Sequence, residues 1–162
     1  MSKEKSSRPL QEAEYVALAE FRYQLRMFLR RMEEEVRHCG INPQQYQLVL
    51  AIKGLPRGQV PTISCLAERM QLNHNSMVEL VDRCEERNML RRLRSSADRR
   101  QVTLAITAEG ENLLRKLGSA ARQELRSIGP MLVESVLRLT DEKSSRRADN
   151  RSRRAFTRKA GQ

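Results

Sequence analysis

The chain has no tryptophan, only two histidines and three cysteines, and aromatic residues make up 4% of it. Each scarcity removes a class of function. Cys39, Cys65 and Cys84 are odd in number and far apart, unlike a disulfide framework, so a reducing cytoplasm is the expected setting. A zinc site could be imagined only at His38-Cys39 after Glu33, Glu34 and Glu35, and with no second ligand cluster nearby none is expected. There is no glycine-rich phosphate loop, no Ser/His/Asp arrangement in a plausible context and no acidic metal cluster. The chain is therefore expected to be no enzyme and to carry no cofactor. No apolar run approaches the roughly 18 residues that span a bilayer, and Met1-Ser2-Lys3-Glu4-Lys5 lacks the apolar stretch of a signal peptide. A soluble, cytoplasmic protein without a membrane partner is expected.

Positive charge, by contrast, is plentiful. The 162 residues, about one domain's worth, carry 31 Lys and Arg against 20 Asp and Glu, a net charge of +11, which favours a polyanionic partner. Residues 141–162 hold eight basic and three acidic residues, or +5 of that total. Between Arg83 and Arg100 seven arginines face three acids, and Arg91, Arg92, Arg94, Arg99 and Arg100 cluster with little acid to balance them.

The stretch from Thr62 to Ile106 organises the chain. Ile63, Leu66, Ala67 and Met70 form one helical stripe behind a hydroxyl residue able to cap it. Gln71-Leu72-Asn73 breaks the pattern, and Asn73 is suited to cap a second helix, with Leu72 and Met77 spaced as a hydrophobic staple. That second helix is expected to bury Met77, Leu80, Val81 and Cys84 and to turn His74, Asn75, Ser76, Glu79, Asp82 and Arg83 outward. The three-to-four-residue turn is the spacing of a helix-turn-helix. Asn88 suits a left-handed cap, and alternation through Val102, Leu104 and Ile106 after a Ser/Asp-rich turn predicts a two-stranded wing with arginines at its tip.

Flanking segments look built to position this unit. Residues 1–9 are expected to be a flexible arm and 141–162 a basic disordered tail. Between Gln11 and His38, Leu18, Phe21, Leu25, Phe28, Met32 and Val36 recur in steps of three and four, predicting a helix of about 28 residues and about 42 Å. That is longer than a small winged helix can cover, so a second copy is the expected partner. Asn42, Pro43 and Gln45, with Ile41 and Tyr46 as a staple, open the next helix, in which Tyr46, Leu48, Val49, Leu50 and Ile52 should be mostly buried. Gln59-Val60-Pro61 can add a short third strand to the wing. Thr107 should cap a helix along Leu114, Leu117, Ala121, Leu125 and Ile128. Gly129-Pro130 should end it before a separate short helix from Met131 to Leu139, apolar on much of its circumference and hence buried on several sides.

Leu66-Ala67-Glu68-Arg69-Met70, Val81-Asp82-Arg83 followed by Glu85-Glu86-Arg87-Asn88, and Asp98-Arg99-Arg100 closing a hairpin resemble the MarR family of winged-helix transcription regulators, over roughly residues 10 to 140. The family usually carries Gly where Gln71 and Asn88 stand, and commonly Leu at Cys84 and Glu at Cys65. The resemblance agrees with the pattern above. It implies a mainly α fold with a small β-wing (α+β), a winged helix-turn-helix over 42–106, and helical dimerisation segments at 10–39 and 107–140. The expected function is a sequence-specific double-stranded DNA-binding regulator, a repressor, acting as a homodimer on a near-palindromic operator. In a major groove, Asn73, His74, Asn75 and Ser76 are the candidates for base edges, and Arg83 for guanine or phosphate. Thr62 and Ser64 suit phosphate, and Arg94 belongs to the wing's basic cluster. By the family's pattern Arg100 inserts into the minor groove, Asp98 orients the hairpin and Arg99 contacts phosphate. A small aromatic effector is also implied, without assigned residues. Two other readings remain open: a sequence-blind basic protein coating nucleic acid, and a regulator sensing oxidants through Cys39.

Overall fold

A computed structural model describes residues 9–94 and 102–140, with the side chain of Arg94 excepted. Its order is α1 (Glu12–His38), α2 (Pro43–Lys53), α3 (Ile63–Met70), α4 (His74–Glu86), β1 (Leu90–Arg94), β2 (Val102–Ile106) and α5 (Ala108–Thr140). The mainly helical chain with one small antiparallel sheet is the expected fold class. It divides into two compact units, residues 30–123 and a second made of 1–29 with 124–162.

The unit of residues 30–123 is built on capped helices. Asn42 caps α2 by accepting from Gln44 N, while Gln45 Oε1 accepts from Asn42 N, and Pro43 opens the helix where a missing N–H costs nothing. Thr62 Oγ1 caps α3 through Cys65 N, and Thr107 Oγ1 accepts from Gly110 N at the start of α5. These helices close over one core of Leu48, Val49, Leu66, Ala67, Met77, Leu80, Val81, Cys84, Met89, Leu90 and Leu104. Each Leu, Val and Met among them contributes about 1.5–3 kcal/mol when removed from water. Val36, Tyr46 and Leu117 form a second cluster, and burial raises the Tyr46 phenol above its usual pKa. Leu50 departs from expectation: it lies outside this core, 46% exposed, because α2 buries only the face carrying Gln45, Tyr46, Leu48 and Val49.

The hairpin pairs Leu90 with Ile106, Arg92 with Leu104 and Arg94 with Val102. The third strand reduces to one bridge, Thr62 to Thr103, with Leu104 N donating to Pro61 O at 2.9 Å. Pro61 has no N–H to return, so the ladder cannot extend there.

In the other unit, three expectations change. First, Gly129-Pro130 does not end a helix. Residues 108–140 are one α-helix with Pro130 inside. Proline forfeits the bond to the carbonyl four residues back, its ring crowds that carbonyl, and its Cδ meets the N–H and Cβ of the preceding residue. That residue is Gly129, whose missing Cβ removes one of these clashes. Second, the inward face of α1 runs through Glu14, Ala17 and Gln24, leaving Leu18 and Leu25 37% and 38% exposed. A stripe read from apolarity alone misses small and polar residues on an adjacent face. The segment from Met131 to Leu139, expected to be buried on several sides, likewise exposes Met131, Val133, Val136 and Leu137 in the single chain.

Candidate nucleic-acid interface

Two helices and a three-residue turn form the centre of the site. At the end of α3, Gln71 takes a left-handed conformation (φ 54°), and its N–H reaches the carbonyls of Ala67 and Glu68. This conformation reverses the chain within Gln71–Asn73. Asn73 then caps α4, its Oδ1 accepting from Ser76 N at 2.8 Å. The first turn of α4 carries no acid, so its unpaired N–H groups and positive dipole end are unopposed.

Of the residues singled out from the sequence, Asn73, His74 and Asn75 are exposed at this end and Ser76 is half-buried. The carbonyl of Asn73 is occupied by the cap, leaving its amide N–H2 as the free group. Thr62 is likewise a cap, whereas Ser64 is exposed. Arg83 is exposed and folds back on α4, its Nε donating to Glu79 O at 3.3 Å. The backbone of Arg94 ends β1. Asp98, Arg99 and Arg100, with the wing tip, lie outside the described residues, as do the tail and all of the arm except Pro9.

The other half of α4 is held from two sides. Gln45, buried on α2, donates from Nε2 to Arg83 O at 3.0 Å, and Arg87 Nη1 donates to Gly40 O at 2.6 Å. From the hairpin, Arg92 reaches Asp82 Oδ1 at 2.6 Å through Nη2 and Glu85 Oε2 through Nη1, while Arg92 N donates to Glu85 Oε1 at 2.7 Å. Burial works against the charge of this guanidinium. The hydrogen bonds and attraction of Asp82 and Glu85 outweigh that, holding its pKa above the ordinary value.

Arg92 therefore corrects the sequence reading of an unbalanced arginine cluster: two carboxylates of α4 balance it. The missed signal was strand alternation. Leu90 and Arg92 share a face of β1, and Leu90 on that face is core. An arginine in line with a core leucine, facing acids spaced i and i+3 on a helix, marks a tie between elements.

A cleft of about 410 Å³ lies beside the far end of α4, with Ile41, Met89 and Leu113 as its apolar lining and Arg87, Lys116, Glu109, Asn112 and Cys39 around them. Among the described residues no group of three His, Cys, Asp or Glu could hold a metal ion, and no helix is long and apolar enough to cross a membrane.

This geometry, a capped helix-turn-helix followed by a two-stranded hairpin, defines the chain as a winged helix-turn-helix protein. Solved structures share the fold. AbsC, a MarR family transcriptional regulator from Streptomyces coelicolor, matches with a TM-score of 0.59 at 18% identity, over 96% of this chain and 100% of that one. An S. aureus MepR variant bound to an oligodeoxyribonucleotide matches with a TM-score of 0.53 at 14% identity, over 88% and 96%. In sequence, the HTH-type transcriptional repressor MdtR of Bacillus subtilis (strain 168) is 30% identical over 80 residues, about half the length of each protein (49% of this chain, 50% of that one). Residues 40–101 match the model of the MarR family. Over that segment the chain resembles the MarR family, and AbsC, a solved member, shares its fold.

Proposed function

We propose that the protein is a sequence-specific regulator of transcription that binds double-stranded DNA as a homodimer and represses from a near-palindromic site. One observation carries this reading. The first turn of α4 presents exposed His74 and Asn75 and no acid, while its other half is tied to α2, the α1–α2 turn and the hairpin. An anchored helix with a free polar end fits a major groove, and α4 is its recognition helix. The wing, with Asp98, Arg99 and Arg100 at its tip, takes the adjacent minor groove, where the negative potential of narrowed A·T tracts attracts arginine. Dimerisation is supported by the apolar side chains that α1 and α5 leave exposed, among them Tyr15, Val16, Leu18 and Leu25, and Met131, Val133 and Leu137. Two recognition helices related by a two-fold axis then meet half-sites about 34 Å apart.

Release by a small effector is part of the same proposal. The cleft beside α4, where Arg87 and Lys116 stand around an apolar lining, suits an apolar acid.

A footprint at fixed salt on the DNA upstream of the protein's own gene, with Asn75→Ala and Arg100→Ala alongside, tests the reading. A protected near-palindrome is expected, blurred by Asn75→Ala and weakened by Arg100→Ala. Diffuse protection indifferent to Asn75→Ala would leave only a basic coat protein.

A further inference from the structure

We propose that Arg92 is a positioning residue: it sets the wing against the recognition helix by engaging Asp82 and Glu85, and it does not contact DNA. The inference rests on the DNA-binding reading above and adds a division of labour among the wing's arginines.

Three contacts converge on this one residue. Its guanidinium spans two carboxylates on successive turns of α4, and its backbone N–H is taken by the second of them. The backbone contact follows from the ladder. Opposed residues in an antiparallel pair alternate between exchanging hydrogen bonds and turning them outward. Leu104 N donates to Pro61 O, on the side away from β1, so the Arg92–Leu104 pair is of the outward kind. Arg92 N therefore points away from β2, and Glu85 receives it. One carboxylate thus closes the open edge of β1 and grips the arginine that follows from the same residue. The side chains of Arg92 and Glu85 are only 27% and 31% exposed, whereas Arg91, its neighbour on the opposite face, is exposed.

The tie resolves an apparent conflict. Asp82 and Glu85 place two negative charges on the helix that must approach a polyanion, which is unfavourable unless those charges do something else. Paired with Arg92, they fix the hairpin relative to α4, so that groove and wing contacts are presented in one register.

The test is counterintuitive. Asp82→Asn combined with Glu85→Gln removes two acids and raises the net charge by two. If Arg92 served DNA directly, this variant would bind the protected site as tightly or more tightly, because Arg92 would be freed for phosphate. If Arg92 is the strut, binding weakens by about tenfold or more at a temperature where the variant is fully folded. The slope of log affinity against log salt then also falls by about 1–2, as wing phosphate contacts are lost. Arg92→Lys keeps the charge but cannot span both carboxylates, and it should weaken binding similarly; unchanged affinity would overturn the proposal. An arm without DNA separates this failure from failure of the regulator reading. Amide exchange in residues 90–94 and 102–106 should rise in both variants while the amides of α2 and α3 stay protected. Unchanged exchange in the hairpin would refute the strut whatever the protein binds.

Discussion

Gln71→Gly should stabilise this protein, although it replaces a three-carbon amide side chain with a hydrogen. Gln71 ends α3 at φ 54°, ψ 42°, a left-handed conformation that costs an L-residue about 1–2 kcal/mol because Cβ crowds the following carbonyl. Glycine carries no such cost but gives the unfolded chain more freedom, worth about 0.4–1 kcal/mol against folding. The Gln71 side chain is exposed, so little packing is lost. The balance is a gain of about 0.5–1 kcal/mol, which for a chain of this size raises Tm by roughly 1–4 °C. Asn88 sits at φ 53° just beyond α4, and asparagine tolerates this region better, so Asn88→Gly should gain less. Gln71→Val, β-branched in the same conformation, should lose stability. Urea titration at fixed protomer concentration, with m unchanged, reads these differences as shifts in the midpoint. A lower midpoint for Gln71→Gly, or a larger gain for Asn88→Gly than for Gln71→Gly, would refute the reasoning.

Gly110→Ala should destabilise by about 1–3 kcal/mol, read by the same titration, because a methyl there overlaps the Met89 carbonyl oxygen and stands 2.7 Å from Ile106 Cγ2. A midpoint equal to wild type would mean that α5 can slide away from the hairpin at no cost. Cys84 is buried, and its thiol is pushed up to about 12, first by burial and with Arg83 opposing weakly. A thiol reagent at pH 8 should therefore modify Cys39 and Cys65 in the native protein and Cys84 only on unfolding. The raised pKa also has a sign: below pH 9 both states keep the proton, and above it only the unfolded state loses it. Wild-type stability should fall relative to Cys84→Ala by up to about 1.4 kcal/mol per pH unit as pH rises from 9 toward 12. Parallel curves for the two proteins would contradict it.

Much of the architecture was legible because its signals are local. Asn42-Pro43 with Gln45, and Asn73 before the α4 stripe, name their own helix starts, since a cap is satisfied within three residues. Periodicity separated α3 and α4 from the β2 strand, and the outward residues of α4 follow from the same count. The family resemblance likewise rested on contiguous motifs.

Other features required the folded chain because they depend on what stands opposite. The left-handed cap at Asn88 was legible because asparagine tolerates that conformation, whereas the positive φ at Gln71 follows from closure of the turn after α3, where no glycine announces it. Gly110 reads as an ordinary helical glycine until Met89 and Ile106 are brought against it. The single helix through Pro130 depends on the flanking turns absorbing one lost bond, which no local rule weighs correctly. Arg92 is the clearest case. In sequence it is one arginine among five, and only the packing of β1 on α4 sets it between Asp82 and Glu85, where two carboxylates outweigh the cost of burying its charge. Local chemistry determined where the elements begin and end. Their mutual placement decided which charges remain free to meet a partner, because a charge's role depends on its nearest opposite charge in space, not along the chain.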